Sequence, residues 1–491
     1  MKLSFFVCFL IGMLMDIPGA WSQQNKTGHV SSPAGPDDML PASWRKTGHI
    51  KTRAARDILS SRWSVGGETL DRDYADYKSY REYLGPLGAK RIRLQAGWAK
   101  TEKNKGVYDW AWLDSVVNNA VSQGVKPWIE TSYGNPIYEG GGDARIGGGI
   151  PITPLALAAW DRWVSAMVSR YKHKVNEWEI WNEPNLSGKY TAEAYAAFFI
   201  RTASVIRREQ PGAGIIALAL GGISAKSLEF TRTFLSFLSV RNKLPLADII
   251  SFHIYPSRPE NASGEFKRLK AVVDEFSKTI VFWQGETGCP STPSAYSSGA
   301  LSNLDWTETS QAKWILRRMF DEMKHADDIA VTSIFQISDM NSYNGGKNNT
   351  KGLLKTNPDK SIAYAKPSYY AMQHVTAVFD STVRPVSDFQ PEMDGAGTAE
   401  AVCFRRLKNG APAFAVWLDG QIPSSSTSAH KVTIKLGAAK LKKPLYVDML
   451  SGAIYRIPSA NIRKDGGVYT LSNIPVYDAP VLIADEGFLI R

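Results

Sequence analysis

Eight segments with the composition of buried β-strands alternate with amphipathic helical segments along most of this chain, and that alternation restricts the fold more than any other feature. The strand segments, rich in β-branched and aromatic residues, are predicted at 62–65, 91–95, 126–131, 177–182, 214–220, 248–253, 280–285 and 329–337. Between them, as at 155–171 and 192–208, apolar residues recur at helical spacing. Alternating strands and helices form parallel sheets, and eight repeats predict an α/β fold closed into a (β/α)8 TIM barrel.

A second pattern begins near residue 379, where short alternating strands follow one another with Asp-Gly and Ser-Gly turns. These strands are predicted at 401–405, 413–418, 431–435, 444–448, 453–457 and 467–471. Together they indicate a small antiparallel β-sandwich. We therefore divide the chain into a signal peptide (1–22), an N-terminal lead segment (23–55), the barrel (56–378) and a β-sandwich accessory domain (379–491).

The first 22 residues have the layout of a secretory signal. Lys2 precedes an apolar core at 3–15, and Pro18-Gly19-Ala20-Trp21-Ser22 follows with small residues suited to cleavage. The core is too short to span a membrane, and no later apolar run is long enough. We predict that the segment is removed and that the protein is secreted or periplasmic. A retained anchor is the alternative.

Charge and composition exclude several other classes of protein. The formal net charge of +11 would suit nucleic acid or a polyanionic glycan, but lysines and arginines are spread along the chain without a dense run. This spacing indicates ordinary surface charge, and we predict no nucleic-acid partner. The hydrophobic fraction of 44% excludes a disordered chain. No His/Cys cluster has the spacing of metal ligands, so we predict no metal and no cofactor. The sequence does not indicate an oligomeric state.

Two of the predicted strands end in a glutamate. The segment 177–185, Glu-Trp-Glu-Ile-Trp-Asn-Glu-Pro-Asn, breaks at Pro184 because proline lacks the N–H of a central strand, which places Glu183 at a strand end. Glu286 ends the strand segment at 280–285 in the same way. Functional groups collect at the carboxyl ends of barrel strands, and glycosidic bond cleavage requires two carboxyl groups flanking the bond. A carboxylate that only caps the next helix is the alternative for Glu183 alone.

These motifs carry a specific resemblance. The run 179–186, Glu-Ile-Trp-Asn-Glu-Pro-Asn-Leu, with Glu286 three strands later, resembles the clan A retaining glycoside hydrolases, which have (β/α)8 barrels. Within that clan it is most similar to family 39, the β-xylosidases and their relatives. The segments Phe-His-Ile-Tyr at 252–255 and Lys-Pro-Ser-Tyr-Tyr-Ala at 366–371 are similar to the same family. The resemblance covers about residues 60–378.

The resemblance implies roles for individual residues. It implies that Glu183 is the general acid/base and Glu286 the nucleophile, that Arg93 keeps Glu286 ionised, and that Asn182 bonds the sugar 2-hydroxyl. It also implies that Tyr255 contacts the nucleophile. It further implies that His253 lies in the substrate cleft and that the β-sandwich packs onto the barrel. Taken alone, Arg93 could instead be a strand arginine paired with a helix, which is our prediction for Arg91, and His253 could be a core histidine.

Aromatic residues near strand ends complete the predicted substrate contacts: Trp98, Tyr133 and Phe335. Phe335 marks a departure from the clan, which usually has a tryptophan at the end of the eighth strand. Here Phe335 or Gln336 occupies that place, which puts the shape of the first sugar subsite in doubt. Tyr133 precedes a glycine-rich loop at 134–149, which we predict to shape one side of the cleft.

We therefore predict a secreted glycoside hydrolase that cleaves β-linked oligo- or polysaccharides by double displacement. A transglycosylase with the same catalytic pair is one alternative, because a sugar can replace water as the acceptor. A catalytically inactive carbohydrate-binding protein is the other.

Overall fold

The computed structural model describes residues 40, 44–186, 188–344, 346–395, 397–437, 441–465 and 468–489. The predicted signal peptide lies outside this part. Eight parallel strands close into a barrel: β2 (Trp63–Gly66), β3 (Arg91–Gln95), β4 (Lys126–Thr131), β5 (Glu177–Ile180), β6 (Gly214–Gly221), β7 (Ile249–His253), β8 (Val281–Thr287) and β9 (Ile329–Ile334). The prediction of a (β/α)8 barrel is confirmed.

The helices of the described residues are α1 (Tyr77–Leu84), α2 (Trp98–Thr101), α3 (Ala111–Ser122), α4 (Pro154–Tyr171), α5 (Ala192–Glu209), α6 (Ala225–Ser239), α7 (Ala262–Asp274), α8 (Glu308–Met323) and α9 (Pro367–Val378). Several begin where the sequence supplies a cap. Thr153, Thr191 and Thr307 each accept a hydrogen bond from a backbone N–H in the first turn. Among these residues no helix is both long and apolar enough to cross a membrane.

The barrel interior changes from apolar to charged along its axis. Near the amino-terminal ends of the strands, Trp128, Ile216, Ile249, Trp283 and Val331 form a separate apolar cluster. Above it, towards the carboxyl ends, the interior holds buried arginine and glutamate side chains. This apolar cluster lies beneath the buried polar groups that face the carboxyl ends of the strands.

Two hairpins follow the last barrel strand. They pair β10 (Met340–Asn344) with β11 (Lys347–Asn349), and β12 (Leu354–Thr356) with β13 (Ile362–Ala365). Both lie between β9 and α9, on the chain that follows the eighth barrel strand.

The remaining strands form two antiparallel sheets. The larger has the order β1-β20-β19-β23-β17-β16-β14, and the smaller has the order β15-β18-β22-β21. Their ranges are β1 (Arg45–His49), β14 (Val383–Val386), β15 (Glu392–Asp394), β16 (Ala399–Arg406), β17 (Pro412–Leu418), β18 (His430–Leu436), β19 (Pro444–Asp448), β20 (Ala453–Arg456), β21 (Ile462–Asp465), β22 (Val468–Val476) and β23 (Val481–Asp485). The sequence predicted six of these strands to within a few residues. It did not predict β14, β15, β21 and β23, nor β1, which lies in the lead segment and pairs with β20.

Helix α8 joins the barrel to these sheets. Its residues from Ser310 to Met323 are buried on every side, charged ones included. The Lys313 ammonium bonds Asp478 at 2.5 Å, and Arg317 makes two 2.7 Å bonds to Glu260. Such burial of charge is tolerated because each charged group has an opposite partner.

Candidate active site

The neighbouring strand end fixes the backbone of Glu183. Its N–H donates to the carbonyl of Ala219 at 3.0 Å, and the Asn185 side chain bonds both backbone groups of Gly221 at 2.8 and 2.9 Å. The backbone of Glu183 is left-handed, with φ 45°. A Cβ at Gly221 would lie 3.0 Å from the Glu183 carboxyl carbon. Glycine at position 221 therefore leaves room for the Glu183 side chain.

Glu286 lies at the end of β8 and receives hydrogen bonds from two sides. The Tyr255 hydroxyl donates to Oε2 at 2.7 Å, and the Arg93 guanidinium donates to Oε1. Burial would raise the pKa of Glu286, but the charges of His253 and Arg93 and the Tyr255 hydrogen bond together lower it. The carboxylate is therefore ionised at neutral pH, as a nucleophile must be.

His253 lies between the two carboxyl groups. Its Nδ1 is 3.0 Å from Glu183 Oε1 and 3.7 Å from Glu286 Oε1. Burial would lower the pKa of His253, but the charge of Glu286 and the hydrogen bond to Glu183 raise it. One oxygen of each glutamate and one ring nitrogen lie within 4.8 Å of one another. These atoms could ligate a metal, but the Arg93 guanidinium already donates to Glu286 and disfavours a second cation there.

Arg93 is fully buried and contacts four glutamates from different barrel strands or their ends. The Nη2 atom lies 2.6 Å from Glu130 and from Glu179, and Nη1 donates to Glu68 at 3.2 Å as well as to Glu286. Burial would lower the pKa of Arg93, but these carboxyl groups raise it, so the guanidinium stays charged.

The pKa values of two of these four carboxyl groups are shifted in the opposite direction from that of Glu286. Burial raises the pKa of Glu68 to about 8 and that of Glu130 to about 7, despite the Arg93 charge. At neutral pH Glu68 is therefore mostly protonated, so Arg93 does not face four full negative charges. Fewer ionised carboxylates therefore compete with Glu286 for the Arg93 charge.

An open cavity of about 540 Å³ lies over this group. Residues lining it include Glu68, Thr69, Arg72, Gln95, Asn182, Glu183, His253, Tyr255, Glu286, Phe335, Tyr343 and Lys351. Both glutamates of the predicted pair thus face one space of a size that holds a small ligand. The Glu183 side chain keeps 25% of its surface exposed, and that of Glu286 keeps 11%.

Comparison with known proteins gives the family. The model of glycosyl hydrolases family 39 matches residues 91–394, which is more than half of the chain.

The chain belongs to family 39.

Relatives of this family 39 chain are distant. A β-xylosidase of Caldicellulosiruptor saccharolyticus is 25% identical over 252 residues, which are 45% of this chain and 50% of that protein. The chain thus spans about half the length of the curated relative it matches.

Among solved structures, a family 39 glycoside hydrolase from Bacteroides cellulosilyticus WH2 has a TM-score of 0.63 at 20% identity, covering 87% of this chain and 81% of its own. A monomeric β-xylosidase from Caulobacter crescentus CB15 has a TM-score of 0.54 at 17% identity, covering 90% and 97%. These likenesses show the shared fold.

Most of the predicted site residues of the family 39 chain lie together. Asn182 lines the cavity, and its Oδ1 accepts a hydrogen bond from Arg93 at 3.0 Å. Phe335 also lines the cavity, with its ring edge-on to Tyr255 at 6.4 Å. Arg93 lies beneath the cavity and reaches it only through the groups that it holds.

Two aromatic residues lie elsewhere. Trp98, predicted to contact substrate, is fully buried and stacks on Tyr138 at 5.5 Å. Its position as the first residue of α2 turns the indole into the core, so the prediction is corrected: Trp98 does not line the cavity. Tyr133 is also buried, behind the cavity wall, where its ring packs under the Arg72 guanidinium at 4.8 Å.

Arg91 does not pair with a helix, which corrects a second prediction. Its Nη1 bonds Glu177 at 3.0 Å, and its guanidinium lies 5.0 Å from the Trp283 ring. Because Glu177 lies on β5, two strands away, this contact crosses the barrel interior one layer below Arg93 and Glu179.

Several cavity residues were not predicted from the sequence. Glu68 follows β2 directly, the same strand-end position that singled out Glu183 and Glu286, so that signal was present. Tyr343 and Lys351 lie on and beside the hairpin after β9. Nothing local marks them, because a long-range chain path brings them to the cavity.

Proposed function

We propose that this family 39 chain is an exported retaining β-glycosidase that cleaves its substrate by double displacement. Glu286 attacks the anomeric carbon while Glu183 protonates the leaving oxygen, and Glu183 then activates the water that hydrolyses the glycosyl-enzyme. The relative named β-xylosidase makes aryl β-xylosides the first substrates to test. Export rests on the signal-like residues 1–22.

One observation carries the retaining mechanism. Oxygens of Glu183 and Glu286 lie within 4.8 Å of each other across the cavity. Carboxyl groups about 5–5.5 Å apart are typical of retaining enzymes, whereas inverting enzymes need about 6.5–9.5 Å to admit a water. The unequal environments support the division of roles, because Glu286 is held by a cation and a hydroxyl while Glu183 is open to the cavity.

The stereochemical test follows the anomeric proton of the first product by NMR. Glu286 inverts the anomeric carbon when it displaces the leaving group, and water inverts it again from the face that the leaving group had occupied, so the product keeps the configuration of the substrate. Inverted product at the first turnover would contradict the proposal. The same time course separates hydrolysis from transglycosylation, because longer products accumulate only in the latter.

The two roles are separated by substitution. Glu183→Ala should lower kcat/KM on a poor leaving group about 10²–10⁴-fold, while activated aryl glycosides still glycosylate the enzyme and added azide restores turnover. Glu286→Ala should lose activity on every substrate. Glu193→Ala, an exposed glutamate of α5 outside the cavity, is the matched control. Equal losses for Glu183→Ala and Glu286→Ala on an activated substrate, without azide rescue, would refute the assignment.

A further inference from the structure

A second cavity of about 740 Å³ opens beside the catalytic cavity. The two share three lining residues, Arg72, Ile146 and Tyr343, so they lie side by side in one cleft of the carboxyl face. We call the second cavity the outer groove. Its walls come from the loops that follow β2, β3, β4, β5 and β9, which places it on the carboxyl face of the barrel. A single sugar would fill only part of such a cleft, so its shape suits several linked sugars.

Cations outnumber carboxylates in the outer groove. Among the described residues that line it, the cations are Arg72, Lys100, Lys103, Arg145 and Lys189, and the carboxylates are Asp71, Asp73 and Asp143. Each carboxylate already pairs with a cation of the groove, at 3.2, 2.6 and 2.5 Å. The groove therefore has an excess of positive charge. Apart from the neighbours Lys100 and Lys103, these lysines and arginines are far apart in the sequence, and the meeting of the loops brings them together.

Aromatic rings also line the outer groove. Tyr74 and Tyr343 meet edge-to-face with ring centroids 5.4 Å apart, and both rings are partly exposed. Tyrosine rings cover the apolar faces of sugars while their hydroxyls stay in contact with water. A wall of exposed tyrosines and cations suits a sugar that carries an acidic group.

The catalytic cavity does not share this excess of cations. Among the described residues that line it, Arg72 and Lys351 stand against the carboxyl groups of Glu68, Glu183, Glu265 and Glu286, and the last of these is held ionised. An acidic group is therefore attracted more strongly to the outer groove than to the space beside Glu286. This difference favours a register of the bound chain in which the acidic group lies away from the bond that is cleaved.

We propose that the outer groove binds an acidic sugar unit of a glycan chain while a neutral sugar of the same chain occupies the catalytic cavity. This inference rests on the proposed glycosidase function and adds the class of substrate, a glycan with carboxylate or sulfate substituents. Binding through several cations makes the affinity depend on ionic strength.

Binding is measured first, with the full chain carrying Glu286→Gln so that substrate is not consumed. The probes share one backbone: glucuronoxylan, its carboxyl-reduced form, and the reduced form after chemical sulfation. We expect at least one acidic polymer to bind about tenfold more tightly than the neutral one at low salt, with the preference lost near 1 M salt. The carboxylated and sulfated probes show which group is preferred. Equal affinity for all three polymers would overturn the proposal.

A matched pair of charge reversals locates the site. Lys103→Glu with Lys189→Glu alters the outer groove, and Lys243→Glu with Lys278→Glu makes the same change on exposed loops before β7 and β8, at the opposite end of the barrel. We expect the groove pair to weaken binding of the acidic polymer about tenfold or more and the control pair by less than about twofold. Similar losses for both pairs would indicate unspecific attraction to a basic protein and would overturn the proposal.

The catalytic arm uses the chain with Glu286 intact. For the groove pair, kcat/KM on glucuronoxylan should fall relative to kcat/KM on an aryl β-xyloside, and for the control pair this ratio should stay constant. Failure to cleave any aryl glycoside would refute the proposed function. The binding experiments would still test whether the outer groove binds an acidic glycan. If aryl glycosides are cleaved but this kcat/KM ratio is unchanged in the groove pair, the proposal for the outer groove is refuted and the proposed function stands.

Discussion

At the scale of single residues, the two glutamates of the site differ in their surroundings. The neighbours of Glu286 keep it ionised, whereas the Glu183 side chain is open to the cavity. Glu286 is buried, yet His253, Arg93 and Tyr255 together lower its pKa. Tyr255 is the member of this group whose removal disturbs least, because Tyr255→Phe deletes one hydroxyl and no charge.

Tyr255→Phe should raise the pKa of Glu286. A hydrogen bond to a charged group contributes about 1.5–3 kcal/mol, and about 1.4 kcal/mol corresponds to one pKa unit. The hydroxyl favours the ionised carboxylate, so its loss favours protonation. We expect the acidic limb of the kcat/KM profile to move about one pH unit or more to higher pH.

Tyr138→Phe is the matched control. Tyr138 is a buried tyrosine whose hydroxyl also bonds a carboxylate, Glu102, at 2.5 Å, but outside the cavity lining. The control should leave the acidic limb in place. An acidic limb that moves equally in both variants, or in neither, would contradict the role of Tyr255.

Strand ends and the family resemblance together located most of the site. Strand ends marked Glu183 and Glu286, and the resemblance implied the placements of Arg93 and His253. The prediction for Trp98 was wrong because an aromatic residue after a strand can also begin a helix and turn into the core. Whether such a ring faces inward or outward depends on distant helices, which no local pattern records.

At the scale of elements, β3 shows how one strand builds successive layers of the barrel interior. Arg91, Arg93 and Gln95 alternate along it, and each reaches a glutamate of another strand. Arg91 bonds Glu177 at 3.0 Å in a pair whose side chains stay 19% and 17% exposed. Arg93 is fully buried with its four partners.

Arg93→Met and Arg91→Met should therefore differ in stability. Removing a fully buried cation leaves its carboxylate partners uncompensated, at a cost of about 3–5 kcal/mol, whereas Glu177 can still be hydrated after Arg91 is lost, so Arg91→Met should cost less. Urea unfolding followed by tryptophan fluorescence measures both. Similar midpoints for the two variants would show that the buried glutamates do not need Arg93 for folding.

The sequence predicted the barrel strands well, but it did not predict their irregularities. In β6 the residues Leu218 and Ala219 have positive φ, and the register with β7 shifts there. The Leu218 N–H donates to the Tyr195 hydroxyl of α5 at 2.9 Å instead of to a strand. This bulge depends on a helix residue far along the chain, so periodicity could not reveal it.

At the scale of the whole molecule, buried acids make stability depend on pH. Glu68 and Glu130 have an ordinary pKa of 4.5, and burial raises these values to about 8 and about 7. Between pH 4.5 and these values the folded state binds protons that the unfolded state releases. Stability from these groups is therefore fully present below pH 4.5 and is lost as pH rises to about 8. Glu286 affects stability in a separate pH range. Because its pKa is lowered, its contribution to stability is lost only as the pH falls below 4.5.

Glu68→Gln should flatten this dependence, because an amide does not ionise. The Tm of the variant relative to the unsubstituted protein should rise steadily from pH 5 to pH 8. Differential scanning calorimetry at each pH measures the difference. Glu193→Gln, on an exposed glutamate, should show no such trend, and a constant difference for Glu68→Gln would mean that Glu68 is ionised throughout.

The pairing of β1 with β20 determines when the larger sheet can be completed. Arg45 pairs with Arg456, so about 400 residues are synthesised after β1 before its partner strand exists. At about 5–20 residues per second, this interval lasts roughly 20–80 s on the ribosome. During that time the nascent β1 has no partner strand, and its polar sequence, Arg-Lys-Thr-Gly-His, protects it from pairing with other chains. The barrel segment is synthesised entirely within this interval. The larger sheet can therefore be completed only after the whole chain of the barrel has been synthesised.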